Sequence, residues 1–166
     1  QNSIDVTEIY DVNFSGTFRY GLRVIADTNL EYITKVMVYE NGQSLKESCS
    51  GSAGTFCVGN VEEGTSITYN FSNEITDTSQ NFEIHYTVFG ALRSYEGGDQ
   101  LWWAAIPSDH YGFAIHRSTI TVQMPPGYSP REETDFVEAY GVSSEIFLTG
   151  TTIVISATDP IEGDDY

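Results

Sequence analysis

The sequence has few positively charged side chains: 7 lysines and arginines stand against 24 aspartates and glutamates, so 166 residues carry a net charge of −17. Such a field repels phosphate backbones, which excludes nucleic acid as a partner, and it also repels an anionic membrane surface. A solvated acidic surface that keeps the protein soluble is the plain interpretation. Binding of divalent cations and a salty habitat are the alternatives.

Long apolar runs are also missing. None approaches the roughly 20 residues that a membrane-spanning helix needs, and no basic-then-apolar segment opens the chain, so we expect any targeting peptide to have been removed. Membrane contact is therefore expected only through segments absent from this chain. Apolar residues still make up 40% and aromatic residues 13% of the sequence. That is enough to build the core of one folded domain over residues 1–166.

Cysteine occurs only twice, as Cys49 and Cys57. A zinc site would need further ligands nearby, and none stand at suitable spacing. The spacing also differs from that of a Cys-x-x-Cys redox pair. A disulfide that closes a short loop rich in glycine and serine is the favoured interpretation, and it places the domain outside the cytoplasm.

Helical periodicity is absent from every window of 11 residues or more. Short alternating segments recur between turn signals instead, which predicts an all-β, antiparallel β-sandwich of immunoglobulin-like or jelly-roll-like type, with little or no helix. Alternation in residues 4–14 predicts a first strand, with Glu8 on its apolar face either paired or at a bulge. In the second strand, Arg19 and Arg23 share the predicted polar face and are expected to pair with carboxylates across strands.

The later segments give further expectations. Asn41-Gly42 predicts a hairpin turn, and residues 73–81 are polar and turn-like. The central strand covers residues 82–92, and residues 101–106 are predicted to form a strand inside the domain. The chain from Phe113 to Met124 changes phase, which predicts a β-bulge near Arg117. Residues 136–140, 144–148 and 153–155 are predicted as short strands.

Several of these segments resemble one family in matching order, the domain-of-unknown-function family numbered 2207. Residues 2–8 resemble its opening motif, residues 18–25 its next strand, Phe82-x-Ile84-x-Tyr86 a later strand, and residues 99–103 its "d-x-L-x-W" motif. Residues 120–125 are similar to its closing strand and proline. The resemblance covers residues 2–125, and the cysteine loop belongs to no pattern of the family.

The resemblance implies a bacterial membrane protein with a signal peptide, an extracytoplasmic β domain and transmembrane helices. The family usually has one more strand before its opening motif and another after its final turn. We therefore expect this chain to be an excised part of a longer membrane-anchored protein. No catalytic residue is implied, because none is assigned in the family.

An aromatic group is the first candidate binding site. Trp102 and Trp103 are adjacent, so on a strand they point to opposite faces, and one is expected in the core. The other is expected near Tyr95 and Tyr111, as an aromatic platform for a sugar ring or a partner protein. Two core or surface aromatics without a ligand are the plain alternative.

Acidic residues form the candidate metal sites. Asp159, Glu162, Asp164 and Asp165 lie together near the end of the chain, and Glu96, Asp99 and Asp109 surround the aromatic block. Oxygen ligands at such spacing suit calcium, although the loop lacks the spacing of an EF-hand. A solvated acidic turn is the alternative for both groups, and no other cofactor is predicted.

No nucleophile elbow or phosphate-binding loop is present. The sequence therefore predicts a non-enzymatic, extracytoplasmic module with a structural or interaction role at the cell envelope, whose partner is an envelope protein or a glycan. The alternative is a carbohydrate-binding β-sandwich that uses the aromatic platform, supported by calcium.

Overall fold

The computed structural model describes residues 2–106, 113–130 and 137–162, and these residues contain strands and turns but no helix. The chain forms two compact units, residues 1–104 and 105–166. The single domain that the sequence predicts over residues 1–166 stays a prediction.

The strands of the first unit are β1 (Ser3–Asn13), β2 (Thr17–Ala26), β3 (Tyr32–Glu40), β4 (Gln43–Ser44), β5 (Lys46–Glu47), β6 (Thr55–Val61), β7 (Gly64–Thr76), β8 (Ser79–Phe89), β9 (Leu92–Tyr95) and β10 (Gly98–Leu101). Those of the second unit are β11 (Thr119–Gln123), β12 (Ser144–Thr149) and β13 (Thr152–Ala157).

Two four-stranded sheets make up most of the first unit. One has the strand order β1-β8-β3-β4 and the other β2-β7-β6-β5. Neighbouring strands are antiparallel, except for the short parallel pair of β5 and β6. Strands β9 and β10 form a separate two-stranded hairpin. The all-β, antiparallel β-sandwich predicted from the sequence is confirmed.

Both sheets contribute side chains to one core. Ile84 and Val88 come from the β1-β8-β3-β4 sheet, and Ile25, Phe56 and Ile67 from the other. Ile84, Val88 and Ile67 have no exposed surface. Burial of several such side chains, at about 1.5–3 kcal/mol each, is the main favourable term for folding of this unit.

Strand β1 follows the alternation read from the sequence. It pairs with β8 without interruption from Ser3↔Phe89 to Asn13↔Ser79. Val6, Tyr10 and Val12 face inward and pack on the core, as predicted. Glu8 lies on the same side and is paired, which is one of the two predicted alternatives.

The second strand predicted from the sequence is present as β2, but the faces predicted for its residues are wrong beyond Arg19. The register between β2 and β7 shifts between Phe18 and Tyr20, which marks a bulge. The pairing shifts there by three residues, from Phe18↔Ile75 to Tyr20↔Asn70, and this odd shift reverses the side that the following residues of β2 face. Tyr20 is therefore 62% exposed instead of buried, whereas Arg23 faces inward and is only 6% exposed. Arg19 remains on the surface, where it pairs with Glu74 of the neighbouring strand, as predicted.

Turn signals were correct in part. Asn41 and Gly42 have φ angles of 48° and 76° and connect the β3–β4 hairpin, which confirms that prediction. The polar segment of residues 73–81 was predicted as a turn, but most of it continues β7 and begins β8. Only Asp77 and Thr78 separate the two strands. The prediction was wrong because polar side chains at an exposed strand end give the same sequence pattern as a loop.

Three other strand predictions need correction. Residues 102–106 do not continue β10, so the expected strand of residues 101–106 contains only Leu101. In place of a bulged strand from Phe113 to Met124, the structure has one bridge at Ile115 and then β11. The predicted strand of residues 136–140 is absent at residues 137–140, and residue 136 lies outside the described residues.

The second unit contains a three-stranded antiparallel sheet with the order β11-β13-β12. Strands β12 and β13 match the predicted short strands and are joined by a turn at Gly150, whose φ is 58°. Ile161 near the end of the chain forms a bridge with Ile115 through two backbone hydrogen bonds. Ile153 of the central strand is buried.

Candidate functional site

A buried ion pair connects the two sheets of the first unit. Glu8 lies on β1 and Arg23 on β2, and their side chains keep only 10% and 7% of their surface exposed. The guanidinium binds both carboxylate oxygens, with Nε 2.9 Å from Oε2 and Nη2 2.8 Å from Oε1. Arg23 also donates from Nη1 to the carbonyl oxygen of Val24, at 2.6 Å. This two-pronged geometry is the strongest form of such a pair.

Two tyrosine hydroxyl groups complete the coordination of the same carboxylate. Tyr86 donates to Oε1 at 2.7 Å and Tyr10 donates to Oε2 at 2.5 Å. A carboxylate accepts about four hydrogen bonds, and Glu8 therefore has a full set of protein donors. We call Glu8, Arg23, Tyr10 and Tyr86 the buried network.

The buried network determines which groups carry charge. Burial by itself raises the pKa of Glu8, but the hydrogen bonds and the charge of Arg23 outweigh it and leave the pKa below its usual value. Burial, and then the charge of Glu8, raise the pKa of Tyr10 and of Tyr86. The carboxylate is consequently ionised and both phenols are neutral at physiological pH.

A glycine makes room for a fifth side chain beside the network. A Cβ atom on Gly21 of β2 would lie 2.3 Å from the ring of Tyr69, so a larger residue there would displace that ring. Burial, and then the charge of Glu8, raise the pKa of Tyr69 to about 12. In sequence, Glu8 was recognisable from its place on an apolar face, but Arg23 was not, since the bulge in β2 reverses its direction.

The two indoles are split between core and surface, and the aromatic platform itself stays a prediction. Trp103 is half-buried and packs against Tyr86, with ring centroids 6.4 Å apart. Trp102 is 66% exposed and Tyr95 is 61% exposed. Tyr111, the fourth predicted member, lies outside the described residues.

Tyr95 stands near the tip of the β9–β10 hairpin. It pairs with Gly98, and Arg93 pairs with Gln100 on the same face. Arg93 donates to the carbonyl oxygens of Gly90, at 2.5 Å, and Asn29, which fixes the base of the hairpin. Trp102 follows Leu101, which pairs with Leu92 at the other end of the hairpin, so the two exposed aromatic side chains stand at opposite ends of it.

The predicted disulfide is present between Cys49 and Cys57, whose Cα atoms are 4.7 Å apart. Cys57 lies on β6, and the exposed Cys49 follows β5. Gly51 and Gly54 have φ angles of 72° and 73°, which allows the intervening loop to turn back. The disulfide therefore closes the connection between the two parallel strands.

The acidic groups are only partly described. Asp159 and Glu162 are exposed, whereas Asp109, Asp164 and Asp165 lie outside the described residues. Asp99 accepts a hydrogen bond from Ser94 at 2.7 Å. Among the residues that the structure describes, no three His, Cys, Asp or Glu side chains stand together so as to hold a metal ion. The calcium sites stay predictions.

A second buried carboxylate lies in a shallow depression of about 200 Å³ that is lined in part by Gln43, Ser72 and Gln80. Glu40 is 7% exposed there and accepts a hydrogen bond from the backbone N–H of Ser72 at 2.8 Å. It links the end of β3 to β7 of the other sheet. Small-molecule sites are usually larger, at about 300–1,000 Å³.

The two sheets and the ion pair between them define a β-sandwich domain. The chain belongs to the family described as "Predicted membrane protein (DUF2207) N-terminal domain", which matches residues 1–163. The resemblance seen in the sequence is thus confirmed. No curated protein and no solved structure has significant similarity to the chain. Within the described ranges, no helix has the length and apolar character needed to cross a membrane.

Proposed function

We propose that this domain is a non-enzymatic, extracytoplasmic interaction module of a membrane-anchored envelope protein. The disulfide between Cys49 and Cys57 carries the proposal. Such bonds persist in oxidising compartments and are rare where thiols are kept reduced. Membership of a family of predicted membrane proteins supports an anchor elsewhere in the full-length protein.

The state of the Glu8 carboxylate supports a role without catalysis. Glu8 accepts hydrogen bonds from Arg23, Tyr10 and Tyr86, which occupy both of its oxygens. A general acid or base needs an oxygen within hydrogen-bond reach of a substrate. The ion pair between the sheets is accordingly assigned to holding the sandwich together.

Thiol labelling in whole cells tests the placement. In the Cys57→Ser variant of the full-length protein, the exposed Cys49 is left as a free thiol. A sulfonated maleimide, which does not cross the cytoplasmic membrane, is expected to label this variant equally in intact and permeabilised cells. Because Cys49 is on the surface, the readout does not depend on the stability lost with the disulfide.

Two controls define the outcome. The wild-type protein is expected to react only after a reductant is added, and the variant with both cysteines changed to serine is expected not to react at all. A cytoplasmic thiol protein must remain unlabelled in the intact cells. Labelling of Cys49 only after permeabilisation would place the domain in the cytoplasm and remove the proposal.

Carbohydrate binding is the second candidate, favoured by the 66% exposure of Trp102. An exposed indole offers a flat apolar face on which a sugar ring stacks. A glycan array probed with the wild type and with Trp102→Ala tests it, with Tyr20→Ala as the control at another exposed aromatic residue. Binding that Trp102→Ala abolishes supports this role, and an array without any bound glycan rules it out.

A further inference from the structure

One outer strand of the sandwich differs from the other three. Strands β4 and β5 are two residues long, and β2 is interrupted by its bulge. Strand β1 has eleven residues, no proline and an unbroken register with β8. Proteins usually shorten, bend or cover the edges of their sheets, because an open edge pairs with other chains. Within the described residues, β1 pairs with β8 alone.

The backbone groups that β1 leaves free follow from two hydrogen bonds at its ends. Phe14 donates its N–H to the carbonyl oxygen of Thr78, and Gly90 donates to that of Asn2. Both belong to the register of the β1–β8 pair, in which hydrogen-bonded pairs alternate with others. Even-numbered residues therefore bond to β8. Six residues direct their N–H and C=O away from β8: Ser3, Asp5, Thr7, Ile9, Asp11 and Asn13.

The side chains along this edge suit an added strand. Val6, Tyr10 and Val12 face inward but are only partly buried, so another strand beside β1 would cover them further. On the outer face, Ile9 is 63% exposed. Asp5 and Asp11 stand on that face and are exposed too.

The net charge of this protein indicates what kind of chain would bind along β1. A second copy of this protein carries the same net charge of −17, which opposes self-association. A segment with lysine or arginine opposite Asp5 and Asp11 would be attracted instead. Aliphatic side chains at its alternate positions would pack on Val6 and Tyr10.

We propose that the free edge of β1 binds an extended basic segment of a partner protein, which adds to the sheet as an antiparallel strand. Main-chain hydrogen bonds supply the affinity of such a contact, and side chains at alternate positions supply its specificity. This inference rests on the interaction role proposed above and names its partner. It is tested with purified protein, so its failure would leave the extracytoplasmic placement unaffected.

A synthetic eleven-residue peptide is the probe. It alternates valine with polar residues and carries lysines opposite Asp5 and Asp11. We expect binding by isothermal titration calorimetry, and slower amide hydrogen exchange at Thr7, Ile9 and the other odd-numbered residues of β1. A peptide that is N-methylated on the edge facing β1 should bind at least about tenfold more weakly. N-methylation of its other edge should leave the affinity unchanged.

Variants of the protein test the same edge. Thr7→Pro removes an N–H that points away from β8 and that no strand among the described residues uses, and proline is tolerated at such positions. It is expected to weaken peptide binding by about tenfold or more. Thr17→Pro is the matched control on β2. The backbone N–H of Asp77 donates to the carbonyl oxygen of Gly16, so the N–H of the next residue, Thr17, faces away from β7. Asp11→Asn should weaken binding by about twofold to fivefold and reduce its salt dependence.

Four results would overturn the proposal. Equal affinity of the two N-methylated peptides would show that charge alone holds the peptide. Protection that appears outside β1, or an absence of binding at millimolar peptide, would remove the site. A dimer in light scattering that Thr7→Pro dissociates would assign the edge to a second copy of the chain.

Discussion

Replacing Glu8 with glutamine should destabilise the first unit far more than its small change in size suggests. The variant keeps the shape of the side chain but removes the negative charge between the sheets. Arg23, whose side chain is 7% exposed, then loses a partner that held it at 2.8 Å and 2.9 Å. Breaking a buried pair from one side costs about 3–5 kcal/mol. Domains have about 5–15 kcal/mol in total.

Urea unfolding measures this effect. Both tryptophans lie in the first unit, and Trp103 packs near Tyr86, so tryptophan fluorescence reports on the sandwich. Glu74→Gln is the matched control, because Glu74 pairs with Arg19, which is 79% exposed. An exposed pair is worth at most about 1 kcal/mol. Comparable slopes with denaturant are needed before the free energies of unfolding are compared.

A double-mutant cycle separates the pair from its surroundings. Glu8→Gln and Arg23→Met should each be costly, but together they should cost less than the sum of the two by about 2 kcal/mol or more, since no unpaired charge remains. If Glu8→Gln costs less than about 1 kcal/mol, or if the two substitutions are additive, the ion pair does not hold the sheets as described.

Three further perturbations give defined outcomes. The pKa of Glu8 is lower in the folded protein than its usual 4.5. The contribution of Glu8 to the free energy of unfolding is therefore complete above pH 4.5 and is lost as the pH falls through its pKa in the folded protein. The difference in the free energy of unfolding between wild type and Glu8→Gln should shrink in acid. Gly64→Ala should lower the free energy of unfolding, measured with urea, by more than about 1 kcal/mol. The reason is that φ at Gly64 is 143° and the new Cβ would lie 2.2 Å from the carbonyl oxygen of Ile25. An unchanged urea midpoint would refute this packing. Reduction of the Cys49–Cys57 disulfide should lower the free energy of unfolding by about 2–3 kcal/mol without loss of the β-sheet circular dichroism, and loss of that signal would show that the disulfide makes the fold.

Much of the architecture could be predicted from local patterns. Alternation in β1 identified which of its residues face the core, because this strand pairs with β8 without interruption. The strand predicted over residues 82–92 is right only as far as Phe89, where β8 ends. Asn41-Gly42 identified a hairpin, since both residues adopt positive φ. Strand ends were predicted less well: residues 73–81 and 101–106 were both misassigned. Polar residues at the exposed end of a strand give the same local signal as a loop. Apolar residues that follow a strand give the same local signal as a continuation of that strand.

The candidate sites were predictable in part. Adjacency of Trp102 and Trp103 predicted one buried and one exposed indole, but not which was which. Trp103 is the indole that is half-buried, because it packs on Tyr86. The buried network was indicated only by Glu8, because its partner Arg23 was assigned to the solvent face.

The sequence by itself determined the all-β class, the net charge of −17 and the pairing of Cys49 with Cys57, since each depends on composition or on neighbours along the chain. The tertiary structure alone decided that Arg23 points inward. The shift in the pairing of β2 with β7 before it reverses the face of the strand, and the guanidinium is stable there only because Glu8 of the other sheet supplies the opposite charge.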